Sequence, residues 1–245
     1  MATTSNPVLA RADFRPVPQA GSGTMTLRGT ITKTLMLLGI VLTTATFAWL
    51  QTGAGISEPD KLGTLFLVGI LGGFAVAVYT VFRPEHAPVT APIYAALEGL
   101  LLGALSAILN LRYRGLPVQA VILTVATFGV MLLAYRFELI RATERFKTIV
   151  VSCTFAVAAF YVIALVMATF GLYIPFLHEG GPIGIGFSLF VTGLAAFNLV
   201  LDFDRIEQGV GRAPGYMEWY AAFGIVVTLV WLYLEMLRLL RKLRR

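Results

Sequence analysis

Long apolar stretches separated by short polar or charged runs recur seven times along the chain, at about 31–51, 62–82, 91–110, 117–135, 148–170, 181–204 and 216–238. A helix needs about 20 apolar residues to cross a hydrocarbon core of about 30 Å, and each stretch is close to that length. A β-barrel would instead show segments of about ten residues alternating in polarity. Val118-Gln-Ala-Val-Ile-Leu-Thr-Val-Ala-Thr-Phe128 does not alternate. The pattern predicts an all-α, multi-pass membrane bundle of seven transmembrane helices, or six if one stretch is re-entrant. Residues 1–30 are polar and rich in Pro, Gly, Ser and Thr, with no apolar core of a signal peptide, and read as a mobile tail. Residues 31–240 then form a single transmembrane domain, and 241–245 a basic C-terminal tail.

Composition agrees with this reading. The chain has 245 residues, 58% hydrophobic and 13% charged, against about 25% charged in an ordinary soluble domain; its mean hydropathy is +0.81. The net charge of +6 sits mostly beside the apolar stretches, where anionic lipid headgroups attract it, and makes no case for nucleic acid. Arg11, Arg15, Arg28, Lys33, Arg83, Arg136, Arg141, Arg145, Lys147, Arg205 and Arg212 fall on one side of the predicted membrane; Lys61, Arg112 and Arg114 fall on the other. The excess predicts a cytoplasmic N-terminus. With seven spans the basic C-terminal tail lies outside, against the rule, so the side of the C-terminus stays open.

Chemistry is sparse. Cys153 is alone and reads as a small buried apolar residue. His86 and His178 lie in different loops, and no His/Cys cluster, P-loop, G-x-S-x-G, H-E-x-x-H or G-x-G-x-x-G occurs. The chain therefore reads as a non-enzyme without a cofactor. Small residues in Leu71-Gly-Gly-Phe-Ala75 and Gly99-Leu-Leu-Leu-Gly103-Ala-Leu-Ser106 read as close helix packing.

The informative residues are acids inside or at the ends of the apolar stretches. Glu98 lies mid-span; a lone ionised carboxylate there costs several kcal/mol, so it is neutral, paired or facing water, either a protonated helix–helix hydrogen-bond partner or part of an ion or proton path. Asp202 and Asp204, at i and i+2, point about 200° apart, and Asn198 shares a face with Asp202, which favours Asp202 as the inward acid. Glu218 opens the last stretch and Glu235 follows about 25 Å along it. Glu235 has Arg238 at i+3, an interfacial ion pair in its plainest reading.

Phe197-Asn-Leu-Val-Leu-Asp202-Phe-Asp204-Arg-Ile-Glu207, Tyr216-Met-Glu-Trp-Tyr220 and Leu232-Tyr-Leu-Glu235-Met-Leu-Arg238 resemble the Bax inhibitor-1 family, and Tyr94-Ala-Ala-Leu-Glu98-Gly-Leu-Leu-Leu-Gly103 looks like its bacterial branch. The resemblance covers about residues 25–245 in layout and is most specific over 190–240. It implies seven helices with the last near the centre, in a bacterial cell membrane, and a pH-sensitive calcium leak. In the leak, one carboxylate on the sixth helix and one on the seventh share a proton when closed, and an arginine ending the second helix latches one of them. Asp202 matches the sixth-helix acid, and Arg83 is the latch candidate. For the seventh helix, the pattern favours Glu235, with Asp202 and Glu235 as transient Ca²⁺ ligands. Membrane depth favours Glu218, and aligning the terminal Leu-Arg-Leu-Leu instead brings up Thr228, which does not ionise. Two carboxylates about 3 Å apart cannot both ionise, so loss of a shared proton as pH rises adds repulsion and opens an oxygen site to Ca²⁺. The rival reading is a non-conducting regulator that binds other membrane proteins, such as a membrane protease. Oligomeric state stays open.

Overall fold

The computed structural model describes residues 23–53, 59–172 and 181–244, without the side chains of 52, 53, 59–62 and 65. Most of the expected N-terminal tail, and His178, lie outside the described residues. Among the described residues seven α-helices run in order: α1 Leu27–Gly53, α2 Pro59–Phe82, α3 Ala87–Arg112, α4 Leu116–Arg136, α5 Glu144–Thr169, α6 Pro182–Gly209 and α7 Met217–Leu243, with a 3₁₀ turn at Pro84–His86 between α2 and α3. Among the described residues there is no strand, only an isolated bridge between Thr24 and Pro214. Among the described residues six helices are long and apolar enough to cross a membrane; α2 adds a shorter apolar run, Phe66–Phe82. At 24 residues, α2 as a whole is about 36 Å long. The architecture is the multi-pass helical bundle that the hydropathy pattern predicts.

Helix ends follow local chemistry. Pro84 disfavours helical geometry at the preceding residue, and Arg83 is extended (φ −131°, ψ 71°), so α2 stops at Phe82. Thr143 caps α5 by accepting from the Phe146 N–H at 3.3 Å. Beyond α5, Gly171 takes φ +73°, and the Leu172 N–H returns to the Met167 carbonyl at 3.0 Å, a glycine-terminated stop.

Contacts divide the described residues into two compact units. One takes those in Val118–Phe203 and Thr228–Arg245, the other those in Pro7–Pro117 and Asp204–Val227. In the first, Val150 and Val157 of α5 pack with Val191, Leu194 and Leu201 of α6, and Cys153 and Trp231 lie against this core. In the second, α3 is packed between α1 and α2. A Cβ at Gly69 of α2 would lie 2.7 Å from the Leu101 Cβ, and one at Gly99 or Gly103 of α3 would strike Thr44 and the Val41 carbonyl, or the Ala45 backbone, of α1. These glycines are the small-residue faces that helices use to approach closely in lipid.

Burial separates lipid-facing from enclosed helices. Only 11% of the most apolar window of α5 is buried, and Phe155, Ile163 and Leu165 stand exposed. That surface suits lipid and would be an aggregation liability in water. The corresponding window of α7 is 67% buried, the most enclosed of the six.

Two expected boundaries move. The tail ends before residue 30: the Met25 N–H bonds to the Ala213 carbonyl at 2.8 Å and the Gly211 N–H to the Met25 carbonyl at 2.9 Å, so residues ahead of α1 are stitched to the α6–α7 loop. At the other end α7 continues through Leu243, because Lys242 is buried and donates to the Gly184 carbonyl at 2.9 Å. Residues 241–243 are thus helix rather than tail.

Candidate functional site: a buried carboxyl held by a threonine

Asp202 sits on α6 with no exposed surface. The hydroxyl of Thr228, on α7, donates to Asp202 Oδ2 at 2.5 Å. One turn earlier on α6, Asn198 is also buried, and its Nδ2 donates to Thr154 Oγ1 of α5 and to the Leu194 carbonyl, each at 2.9 Å. The side chains of Asn198, Asp202 and Thr228 thus give a polar, oxygen-bearing strip in otherwise apolar helices.

The bond lies well inside the spans. Asp202 is about 10 Å along α6 from its end at Gly209, and Thr228 is about 16 Å along α7 from its start at Met217. Reading hydropathy alone ended the sixth span near residue 204 and so placed Glu218 level with Asp202. The helix in fact continues through Arg205-Ile-Glu-Gln-Gly209, where Arg205, Glu207 and Gln208 lower the hydropathy but still sustain a helix. The α7 residue level with Asp202 is therefore Thr228, about 15 Å beyond Glu218 and about 10 Å short of Glu235.

The other acids have partners of their own. Glu235 is buried and accepts from Arg238 Nη1 at 2.8 Å, from the Tyr161 hydroxyl at 3.1 Å and from Trp231 Nε1 at 3.3 Å. Arg238 also donates to the Tyr161 oxygen, and its guanidinium lies 4.8 Å over the Tyr161 ring. This closed network makes Glu235 an ion-paired anchor between α5 and α7. Neither of Glu235's oxygens bonds to Asp202. Asp204, half-buried on a different face from Asp202, accepts from Gln208 Nε2 at 2.6 Å.

In the second unit, Glu218 accepts from the Thr26 N–H and hydroxyl, each at 2.7 Å, and from Lys33 Nζ. It clamps the start of α1 to the start of α7. Exchanging Glu218→Gln leaves the Lys33 charge without its counter-ion. We expect a loss of about 1–3 kcal/mol, read as a lower unfolding midpoint of the detergent-solubilised protein. An unchanged midpoint would mean that the clamp carries no weight.

Glu98 is half-buried and accepts from the Tyr94 hydroxyl at 3.2 Å. Tyr94 is buried edge-on against Phe223, with ring centroids 4.8 Å apart. On the other side Glu98 faces α2, where a Cβ at Gly73 would come within 3.2 Å of Glu98 Oε2. Arg83, the expected latch, reaches Glu85 at 3.4 Å, and both side chains are exposed. Among the described residues, no group of three or more His, Cys, Asp or Glu side chains is placed to hold a metal ion.

Some of these partnerships were readable as helical spacings: Tyr94 with Glu98 and Trp231 with Glu235 at i+4, Glu235 with Arg238 at i+3. Thr228, Tyr161 and Lys33 were not, since each comes from a distant helix.

No curated protein and no solved structure matches the chain. The family model described as Bax inhibitor 1 like matches residues 6–245, nearly the whole length. That match covers the seven described helices and the polar strip between α6 and α7: the chain is a multi-pass membrane protein that belongs to the Bax inhibitor 1 like family.

Proposed function

We propose that the protein is a pH-sensitive leak for cations, Ca²⁺ among them, in which Asp202 is the titrating group. The observation that carries the reading is a fully buried carboxyl within a membrane-spanning helix, held by a hydroxyl from the facing helix. Acids inside membrane spans are costly and tend to mark ion or proton pathways. The resemblance to Bax inhibitor-1 proteins supports Ca²⁺ as the ion.

The mechanism follows from charge. With its proton, Asp202 is neutral and the strip offers a cation only weak oxygen dipoles. Without it, the same carboxyl presents a full negative charge beside the Thr228 hydroxyl and near Asn198. Hard oxygen donors of this kind suit Ca²⁺. Flux therefore rises as pH rises. Because Thr228 stands where a second carboxyl would couple to the first, the response follows one proton rather than the two steps of an interacting pair. Glu235 and Glu218, each in an ion pair, anchor helices.

The experiment is Ca²⁺ uptake by vesicles containing the purified chain and a trapped indicator, against protein-free vesicles, over a range of pH. The expected result is protein-dependent uptake that increases with pH along a single-proton curve, at most about tenfold per pH unit. Uptake no greater than in protein-free vesicles at every pH would overturn the leak and favour a non-conducting regulator.

A further inference from the structure

A groove of about 440 Å³ runs along the first turns of α1, lined by Arg28, Thr32, Lys33 and Met36, with Trp219 from the start of α7. Arg28, Thr32 and Met36 recur every fourth residue and so form one stripe, about 12 Å long. The stripe is polar at its outer end and apolar at its inner end, where Met36 is 52% and Leu35 63% exposed. The gradient runs into a membrane-spanning helix, Leu27–Gln51.

Charge selects the occupant. Lys33 is already committed: it pairs with Glu218, and its ammonium lies 5.6 Å from the centre of the Trp219 ring. Arg28 is exposed and makes no ion pair among the described residues. The groove thus carries one net positive charge; the Thr32 hydroxyl, one turn away, already donates to the Arg28 carbonyl at 2.9 Å. A phosphodiester brings one negative charge and acceptor oxygens that match a guanidinium fork. A free anion would leave the Met36 end bare, whereas an acyl chain covers it. A zwitterionic headgroup adds an ammonium that Arg28 repels. Tryptophan at such a position is typical of the interface between headgroups and hydrocarbon.

We propose that this groove binds an anionic phospholipid, its phosphate on the Arg28 guanidinium, its backbone against Trp219 and an acyl chain beside Met36. Basic pockets between membrane helices hold anionic headgroups by the same chemistry. The site shares no residue with the Asp202 strip and does not depend on whether the chain conducts.

The test uses the full chain with Trp49→Phe and Trp231→Phe, which leaves Trp219 as the single tryptophan. Lipids with brominated acyl chains quench tryptophan emission on contact. In mixed vesicles, brominated phosphatidylglycerol is expected to quench Trp219 more strongly than brominated phosphatidylcholine at the same fraction. Arg28→Gln should weaken that preference about fivefold, and Arg28→Lys should keep most of it. Added inorganic phosphate should change nothing. Equal quenching by the two lipids, or an undiminished preference in Arg28→Gln, would overturn the proposal. So would displacement by inorganic phosphate, which would make the occupant a free anion. If Arg28→Gln does not fold, the comparison of the two lipids on the Arg28 protein and the phosphate competition still decide it.

Discussion

Gly103→Leu should cost the protein its fold in the unit built on α1, α2 and α3. A Cβ at this position meets the carbonyl oxygen, Cα and carbonyl carbon of Ala45. These are backbone atoms, with no rotamer to move aside. The helices would have to separate, and Gly99 one turn earlier would lose its own contact with Thr44 and the Val41 carbonyl. In lipid no hydrophobic effect offsets the gap, since association there rests on close packing. Overpacking typically costs about 1–3 kcal/mol, more where the obstacle is rigid; here we expect at least about 3 kcal/mol. The measurement is the unfolding midpoint and the monodisperse yield after solubilisation. Gly129→Leu serves as the control, because a Cβ there meets nothing within 4 Å. Equal behaviour of the two variants would refute close packing at Gly103.

Most of the fold was legible because bilayer spans are a local property. Each stretch had to supply its own run of apolar residues, and the glycines of α3 announced close approach by their spacing. What hydropathy could not report was where helices end. It measures depth in the membrane, so the apolar run stopped at Asp202-Phe-Asp204 while the helix went on to Gly209. That difference of about a turn and a half shifted the register between α6 and α7 and turned attention to Glu218. At the N-terminus the error ran the other way. Gly23-Thr-Met25 look like tail, yet their backbone bonds to the α6–α7 loop, a partnership written nearly two hundred residues apart. Gly211, at φ +72°, gives that loop the left-handed turn it needs.

The acids show the same division. Glu235 carried its counter-ion, Arg238, within one turn, and Glu98 carried Tyr94; both were visible as spacings. Thr228 was visible only as a residue unable to ionise, which made it look like a gap in the pattern. Against Asp202 it is a donor, and a donor supports the carboxylate form of an acid without competing for the proton. Under the proposed function, a threonine rather than a second acid beside Asp202 leaves a switch of one proton.

Asp202→Asn is the variant with the largest expected effect on function. Asparagine keeps the size of the side chain, and its amide oxygen still accepts from Thr228, so the helices stay packed. It has no proton to lose and never carries charge. The negative charge proposed to draw a cation into the strip is then absent at every pH. The most direct test is Ca²⁺ uptake against pH, measured side by side for vesicles of wild type and Asp202→Asn with equal protein incorporated. The account predicts wild-type uptake that climbs along a one-proton curve and an Asp202→Asn profile that is flat and low. If Asp202→Asn takes up Ca²⁺ with the wild-type dependence on pH, Asp202 is not the sensor and the account is wrong.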